Sequence, residues 1–400
     1  MKMIFRLIAI LLPFSLFANS LFANDTVLQG IGGSDIMPLH DKRLEMVSED
    51  ITMTMIDTHF VQVEAIYRFK NLRSEKLKVD LGFPELSCEK EGEIDTLDGR
   101  SYKEAALKLC GQKKSPKFRN FETWVNQKKV SYQIVSTKAT KVRSIQIPEY
   151  DVVYAYVVDF EPDQEVEVKH SYQLLASEAI GETYDLYYLT KTGNFWAKPI
   201  GRATFTFRHH MPLIWINFPK DYLLKSFKTE YLNQKYQVEI SFEMLNWLPK
   251  QDLMISYALL APQSLAMYDD PTINCPQIPR MKLNSFDQQE VMNILNDPKL
   301  DRNRDRVQKC LNLINAYYGY PFKNPQIRSM FYQDQPIDIF KRLKKNCDDG
   351  MQANHCTNTL EIPLAEIPYF TEKAISLENQ YYLRYLKIIS DALKNLKSKP

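Results

Sequence analysis

Hydrophobic residues recur at every second position through most of the chain between residues 44 and 260, and this pattern constrains the fold more than any other feature. In residues 61–69, apolar side chains alternate with Gln62, Glu64 and Arg68. Such alternation is typical of a β-strand with one buried and one solvent-facing side. Short strands of this kind, without a long helix between them, predict an antiparallel β-sandwich region rather than a parallel α/β sheet. Residues 24–260 are numerous enough for one elaborated sandwich or for two, and both remain open.

Further runs with the same period continue the series. Other predicted strands cover residues 184–190, 202–208, 213–217, 236–242 and 253–260. Residues 151–160 and 165–175 flank the turn-forming tetrapeptide Glu161-Pro162-Asp163-Gln164, which predicts a hairpin. Residues 85–126 interrupt the rhythm, with Lys and Glu crowded around Cys88 and Cys110. We expect a disulfide-closed insertion there, with a short helix near residues 102–109.

The periodicity changes after a proline-rich linker at residues 261–279. Apolar residues then follow a helical spacing at Val307, Cys310, Leu311, Ile314 and Tyr318. That stripe stops at Gly319, the residue type expected just past a helix end. Other predicted helices are short ones at residues 285–295, 325–332 and 337–345, and a long terminal one capped by Thr371. Residues 280–400 should therefore form a small helical domain, which makes the chain a multidomain protein, all-β followed by all-α.

The first 23 residues have the organisation of a secretory signal peptide. Lys2 and Arg6 accompany an apolar run over residues 7–17, and small residues follow it. We expect cleavage near Ala23, with a site after Ser20 as the alternative. Export would leave a periplasmic or secreted protein, and no later stretch is apolar enough to span a membrane.

Charge bears on the partners that such a protein can have. Lys and Arg total 51 and Asp and Glu total 49, and Lys2 and Arg6 fall in the signal segment. The mature chain would therefore have no basic excess, which argues against a dedicated nucleic-acid binder.

Six cysteines follow the signal segment: Cys88, Cys110, Cys275, Cys310, Cys347 and Cys356. An even number in an oxidising compartment favours disulfide bonds. Closeness in sequence favours Cys88–Cys110 and Cys347–Cys356, and elimination then leaves Cys275–Cys310. The alternative is a nucleophilic cysteine or a zinc site, but the chain lacks CxxC spacing and only His355 lies beside a cysteine.

Several motifs between residues 24 and 260 resemble a family of exported bacterial proteins known only as a domain of unknown function. The most specific is the Thr-Gly-x-x-Trp-x-x-Pro-Ile-Gly element at residues 192–201. Residues 46–51, residues 67–71 and Phe83-Pro84 also match. We interpret the element as a tight turn at Gly193, a Trp folded over a sheet edge and a proline-fixed entry into the next strand. The resemblance implies export and β-structure and assigns no catalytic residue.

Residues 311–332 resemble the YARHG domain, a small extracellular helical module. The pattern Gly-Tyr-x-Phe-Lys-x-Pro-x-Ile at residues 319–327 is similar to that family. The signature pentapeptide is degenerate: Ala316 and Gly319 match, but Asn315, Tyr317 and Tyr318 replace its Tyr, Arg and His. The resemblance implies wall-associated binding outside the cell, without any role of the missing Arg-His pair.

Aromatic residues of this same stretch are the candidate binding residues: Tyr317, Tyr318, Tyr320 and Phe322, with Phe331 and Tyr332 close by. Aromatic faces stack on sugar rings, and a tyrosine can keep its hydroxyl in water while its ring is partly buried. The alternative is that these rings form the core of a small domain.

Sequence motifs for metal binding and for catalysis are incomplete in this chain. Asp301, Asn303 and Asp305 have the spacing of calcium-loop ligands, but Arg306 stands where that loop needs a glycine. His209 and His210 are adjacent on a predicted strand and so point to opposite faces; we expect one to be exposed and one half-buried. We find no HExxH, GxSxG or phosphate-binding motif. No metal, cofactor or catalytic residue is therefore predicted.

These observations predict an exported, non-enzymatic protein of the cell envelope. Its β-sandwich scaffold and YARHG-like module would bind a cell-wall glycan or another envelope protein. The alternative is a periplasmic hydrolase acting on cell wall or polysaccharide, with carboxylates such as Glu49 and Asp50 as acid and base. Neighbouring residues of a strand diverge, so that pair has poor geometry for the task.

Overall fold

A computed structural model describes the greater part of the chain. The described residues are 33–34, 37–38, 43–57, 60–85, 119–136, 152–179, 183–190, 193, 196–250, 253–260, 275, 289, 304–332, 343–347, 356–365, 367 and 370–397. Within these ranges the protein is mostly β-sheet, with a few helices near the C-terminus.

The strands, in chain order, are β1 (Gly33–Ser34), β2 (Met37–Pro38), β3 (Leu44–Met55), β4 (Phe60–Asn71), β5 (Leu77–Glu85), β6 (Arg119–Val125), β7 (Lys128–Val130), β8 (Gln133–Ser136), β9 (Val152–Phe160), β10 (Glu165–Leu175), β11 (Ser177–Ala179), β12 (Thr183–Leu189), β13 (Ile200–His209), β14 (Leu213–Pro219), β15 (Leu224–Leu232), β16 (Lys235–Trp247), β17 (Leu253–Leu259), β18 (Leu343–Cys347) and β19 (Cys356–Glu361). The helices are α1 (Arg304–Tyr317), α2 (Pro325–Phe331) and α3 (Leu377–Lys397), and a 3-10 turn covers Glu372–Ala374.

Three sheets organise these strands. The largest has eight strands in the order β15-β16-β13-β3-β4-β10-β6-β7, and a four-stranded sheet has the order β2-β5-β9-β8. The third follows the order β1-β12-β17-β14-β19-β18, with β11 also paired to β12. Most of the described pairs are antiparallel, as predicted, but β13 runs parallel to β3 and β1 parallel to β12.

The core lies where one face of the eight-stranded sheet meets the two smaller sheets. Tyr67 of β4 and Tyr188 of β12 are both buried, and their hydroxyls are 2.7 Å apart. Phe83 of β5 packs against Tyr172 of β10, with ring centroids 5.3 Å apart. Alternate residues of the central strands are buried. The period-two pattern therefore identified the buried face correctly.

The predicted hairpin of residues 151–160 and 165–175 is wrong, although both strands and the turn between them exist. β9 pairs with β5 and β8, whereas β10 pairs with β4 and β6 in a different sheet. The backbone N–H of Gln164 donates to the carbonyl of Glu161 at 3.1 Å. The tetrapeptide is therefore a corner that carries the chain between sheets, and its local sequence does not distinguish the two outcomes.

The predicted insertion at residues 85–126 ends earlier than expected. β6 pairs with β10 and β7 in the eight-stranded sheet, and Phe121 and Thr123 are buried. Residues 119–126 therefore belong to the scaffold. The rest of the insertion, with its predicted helix and with Cys88 and Cys110, lies outside the described residues, as does the signal segment.

The element at residues 192–201 is a structural link between the β12–β13 connection and the large sheet. The Gly193 N–H donates to the Thr190 carbonyl at 2.9 Å, which forms the predicted tight turn. Trp196 is buried and packs on Phe69 with 4.6 Å between ring centroids. A Cβ atom on Gly201 would lie only 2.6 Å from the carbonyl oxygen of Val47. The motif is thus explained by packing.

Helix α1 matches its prediction closely. Val307, Cys310 and Ile314 are buried, and Gly319 follows the helix end with a φ of 73°. A disulfide joins Cys310 to Cys275, with 5.4 Å between the Cα atoms. That is the pairing reached by elimination. Cys347 and Cys356 face each other in the β18–β19 register, and a bond between them stays a prediction.

Two helix predictions after residue 332 need correction. Residues 343–345 lie in β18, and residues 357–361 of its partner β19 pair with residues 215–219 of β14. The C-terminal part therefore contributes strands to a sheet of the N-terminal part, because an open sheet edge can recruit a segment whatever its local periodicity. Thr371 precedes the 3-10 turn and makes no side-chain cap. Helix α3 begins only at Leu377.

Candidate functional site

Five half-exposed aromatic rings form a continuous row where β15, the loop after α1 and helix α2 meet. We call this set the aromatic row; its members are Tyr231, Phe370, Tyr320, Phe322 and Phe331. In that order, neighbouring ring centroids are separated by 6.1, 5.1, 5.0 and 5.9 Å. Each ring is thus supported by another ring and keeps part of its surface in solvent.

The loop that carries Tyr320 and Phe322 has a fixed backbone. Gly319 adopts a positive φ, and a Cβ atom there would lie 2.5 Å from a side-chain carbon of Ile367. The Ile367 N–H donates to the Gly319 carbonyl at 3.2 Å, and the Tyr332 hydroxyl donates to the Tyr320 carbonyl at 2.8 Å. A surface held in this way loses little conformational freedom when it binds a ligand.

Helix α2 adds polar groups beside the row. Asn324 caps it, since its Oδ1 accepts from the N–H groups of Gln326 at 2.9 Å and Ile327 at 3.4 Å. Pro325 occupies the first helical position, where its missing N–H is not needed. Lys323 is exposed at the start of this segment. The site therefore combines rings with amide and cationic groups.

Burial removes Tyr317 and Tyr318 from the predicted binding surface, so for these two residues the expectation of a recognition role is wrong. Tyr318 is fully buried, and its hydroxyl oxygen accepts hydrogen bonds from the Ser376 N–H and the Asn379 Nδ2, each at 3.1 Å. Tyr332 is buried as well. These rings form core, which was the alternative interpretation, whereas Tyr320 and Phe322 remain candidates.

Two members of the row were missed by sequence reasoning. Tyr231 lies on β15 and Phe370 lies between β19 and the 3-10 turn, so both are far in sequence from residues 311–332. The Tyr231 hydroxyl donates to the Tyr318 carbonyl. Burial, followed by the nearby Tyr318, raises the pKa of Tyr231. It therefore stays a neutral donor, and no local pattern could have placed it here.

The histidines that the sequence singled out do not form a site. His209 is buried, its Nδ1 accepts the Met211 N–H at 2.8 Å, and burial lowers its pKa to about 3. His210 is half-exposed. We expected one exposed and one half-buried histidine; instead His209 is buried and His210 is half-exposed. The two residues lie on different faces, as predicted.

The carboxylates proposed for a hydrolase also lie apart. Glu49 is fully buried, while Asp50 lies on the solvent-facing side of β3. Arg202 Nη2 donates to both carboxylate oxygens of Asp50 at 3.0 Å, and Arg68 is 3.7 Å away. These two carboxylates therefore do not converge on one reacting atom.

The described part of the chain contains neither a metal-binding cluster nor a helix that could cross a membrane. Within it, no group of three or more His, Cys, Asp or Glu side chains is arranged to hold a metal ion. Asp305 lies in α1, while Asp301 and Asn303 fall outside the described ranges. Among the described helices, none combines the length and hydrophobicity that a membrane crossing requires.

One known family matches part of the sequence. Residues 23–144 match the domain of unknown function DUF4424. This supports the coarser expectation of an uncharacterised domain in the N-terminal part, whereas the match stops before the element at residues 192–201 and before the YARHG-like stretch. Among curated proteins, none matches the chain.

Three solved structures illustrate the structural likenesses. A candidate nutrient binding protein from Legionella pneumophila is 17% identical, with 90% of this chain and 98% of that chain covered and a TM-score of 0.47. An M1 zinc metallopeptidase from Deinococcus radiodurans is 11% identical, with 54% and 42% covered and a TM-score of 0.28. A candidate protease from Parabacteroides distasonis is 9% identical, with 87% and 59% covered and a TM-score of 0.28. Likenesses of this size carry no argument about activity.

Proposed function

We propose that this protein is an exported, non-enzymatic binding protein of the cell envelope and that the aromatic row binds a cell-wall glycan. The observation that carries the proposal is the row itself: five touching rings, each half-exposed, on a backbone held by hydrogen bonds. Aromatic faces provide apolar contact area for the C–H surfaces of sugar rings at small conformational cost.

The polar groups beside the row suit a glycan. Asn324 uses its Oδ1 to cap α2, and its Nδ2 is placed on the exposed start of the same helix. Sugars present hydroxyl groups around an apolar ring, so rings and amide donors together match both parts of such a ligand. The resemblance of residues 311–332 to the YARHG module, which implies a role in wall-associated binding, supports the same ligand class.

Export is supported by two features. The first 23 residues have signal-peptide organisation, and the Cys275–Cys310 disulfide is a type of bond that persists in oxidising compartments. A non-enzymatic role is supported by the separation of Glu49 from Asp50 and by the pairing of Asp50 with arginines. A periplasmic hydrolase remains the alternative, to be tested by incubating the protein with the same glycan and assaying for soluble fragments.

The experiment is co-sedimentation of the purified mature protein with insoluble peptidoglycan. Replacing Tyr320 by Ala removes the central ring of the row, so we expect the apparent affinity to fall about tenfold, which corresponds to about 1.4 kcal/mol. Met330→Ala is the matched control, because Met330 is 54% exposed on α2 but belongs to no ring contact of the row. That variant should bind like the wild type.

Stability measurements separate binding from packing. Tyr320→Ala should unfold at nearly the wild-type temperature if its exposed face serves recognition. A loss of about 3 kcal/mol or more would instead mark Tyr320 as a core ring, and the proposal would then be withdrawn. Equal sedimentation of wild type and Tyr320→Ala would also refute it. Capture of a protein from envelope extract, without sedimentation with peptidoglycan, would assign the row to a protein partner.

A further inference from the structure

Strand β15 forms one edge of the eight-stranded sheet and is the longest edge strand of the described sheets. It joins β16 through the two-residue turn Asn233-Gln234, in which both residues have positive φ, at 51° and 64°. This is the geometry of a type I′ hairpin, whose closing residues, Leu232 and Lys235, exchange backbone hydrogen bonds.

The hairpin register determines which backbone groups of β15 face outward. From Leu232, hydrogen-bonded positions alternate along the strand, so the N–H and C=O groups of Phe227, Thr229 and Tyr231 point away from β16. No described residue makes a backbone hydrogen bond to these groups from outside the hairpin. A row of such groups is a template for another strand.

We propose that β15 pairs with β15 of a second copy of this chain, antiparallel and about a two-fold axis at Thr229, so that the eight-stranded sheets of two copies become continuous. The outward-facing positions are symmetric about Thr229, as a two-fold interface requires. Thr229 would exchange two backbone hydrogen bonds with Thr229 of the partner subunit. Phe227 would exchange two with Tyr231 of the partner subunit, and Tyr231 two with the partner's Phe227.

Complementary charges on facing residues favour this register. On the solvent-facing side of the sheet, it places Lys228 opposite Glu230 of the partner subunit, and Glu230 opposite Lys228 of the partner subunit. Within one chain Lys228 Nζ lies 3.5 Å from Glu230 Oε1 and 3.4 Å from Glu239 Oε1, and the Lys228 and Glu230 side chains are still 51% and 44% exposed, which leaves each room for a partner across the two-fold axis. Opposite charges at directly facing positions stabilise a strand pair, whereas like charges destabilise it. The same register places Phe227 beside the partner's Tyr231 on the other side of the sheet, where aromatic pairs are also favourable.

The charged residues of β15 favour pairing with a second copy of this chain over pairing with an unrelated peptide. Natural edge strands commonly carry lysines that discourage pairing. Here the lysine has a glutamate two residues away, so the self-paired register gives each Lys228 a facing glutamate in addition to its ion pairs with Glu230 and Glu239 of the same chain. A single strand pair is smaller than a standard stable interface, so we expect a reversible dimer that forms with increasing protein concentration.

The test is sedimentation equilibrium of the full mature chain across the micromolar range. Wild type should show a monomer–dimer equilibrium. Lys228→Glu makes both charges of each facing pair negative, and Glu230→Lys makes both positive, so each variant alone should be monomeric. An equimolar mixture of the two variants restores opposite charges at every position and should form a heterodimer.

Backbone variants provide an independent test. Thr229→Pro removes an N–H group that points away from β16, so no hydrogen bond within the hairpin is lost. An edge strand tolerates proline at such a position. This variant should be monomeric, with an unchanged circular dichroism spectrum. Thr229→Val keeps the N–H and should dimerise. A wild type that is monomeric at all concentrations, charge variants that dimerise like the wild type, or a mixture that forms no heterodimer would overturn the proposal. Tyr320→Ala should not affect dimerisation, so this inference and the glycan-binding proposal can fail separately.

Discussion

The side-chain amide of Asn379, near the start of helix α3, donates a hydrogen bond of 3.0 Å to the carbonyl oxygen of Leu260, at the end of the β-rich part of the chain. Asn379 is 1% exposed, and its Nδ2 also lies 3.1 Å from the Tyr318 hydroxyl. One buried amide therefore connects the strand region, the segment after α1 and the terminal helix. Because such a bond has no solvent to replace it, its loss should be measurable.

Asn379→Ala should lower the free energy of unfolding by about 1–3 kcal/mol, since it leaves the buried Leu260 carbonyl with one hydrogen bond fewer. Urea denaturation followed by circular dichroism measures this change. Lys387→Ala, at an exposed position of the same helix, is the control and should change stability by less than about 0.5 kcal/mol. Equal stabilities of the two variants would contradict the linking role of Asn379.

Gly201→Ala should destabilise the protein by about 1–3 kcal/mol, because the new Cβ atom would lie 2.6 Å from the Val47 carbonyl oxygen and the parallel pair of β13 with β3 would have to separate. Thermal unfolding is a suitable measurement. Thr204→Ala, at a half-exposed position of the same strand, serves for comparison. If Gly201→Ala unfolds at the wild-type temperature, the close approach of these strands is not as described.

Stability should fall as the pH is lowered from about 6.5 toward 3. Burial lowers the pKa of both His170 and His209 to about 3 from an ordinary value of 6.5. In that window the unfolded chain binds protons that the folded chain does not, so the free energy of unfolding decreases with falling pH. Each histidine contributes a slope of up to about 1.4 kcal/mol per pH unit.

His170→Phe provides the control for this pH dependence. The His170 ring is surrounded by aromatic rings, with Phe83 at 4.7 Å and Phe121 at 5.1 Å between centroids, so a phenyl ring fits the space and gives up only the 3.1 Å hydrogen bond between Nε2 and the Tyr156 hydroxyl. Urea denaturation at several pH values between 7 and 4.5 should give a smaller slope for the variant. A slope equal to that of the wild type would mean that His170 titrates normally.

Limited proteolysis within residues 261–274 should produce two fragments that stay associated. The pairing of β19 with β14 and the bond from Asn379 to Leu260 cross this segment, and neither depends on an intact linker. Size-exclusion chromatography of the cleaved protein should give one peak of unchanged volume, which 6 M guanidinium splits into two. Fragments that separate in native buffer would favour two independent domains.

Local sequence was sufficient for many elements of this fold. The alternation around Tyr67 reported which face of β4 is buried, because a side-chain period of two directly reflects the geometry of a strand. Gly319 marked the end of α1 because few other residues adopt its positive φ. Both signals lie within one element and need no information about distant partners.

The candidate site was only half predictable, because membership of the aromatic row depends on contacts between distant parts of the chain. Tyr320 and Phe322 belong to a recognisable local pattern, but Tyr317 and Tyr318 share its composition and are buried. A ring in water and a ring in the core have the same sequence signature, and what decides between them is packing against α3 and β16. Tyr231 joins the row only through the fold.

Side-chain periodicity and cysteine spacing were enough to predict the strand-rich character of residues 44–260, the helical stripe of α1 and the Cys275–Cys310 disulfide. Tertiary structure alone decided that β9 and β10 enter different sheets, that β13 runs parallel to β3, and that β19 returns to complete the sheet containing β14. Backbone hydrogen bonds between strands are the same for every residue type except proline. Which strands pair is therefore decided by the burial of whole faces and by the edges that remain open, and these are properties of the assembled fold.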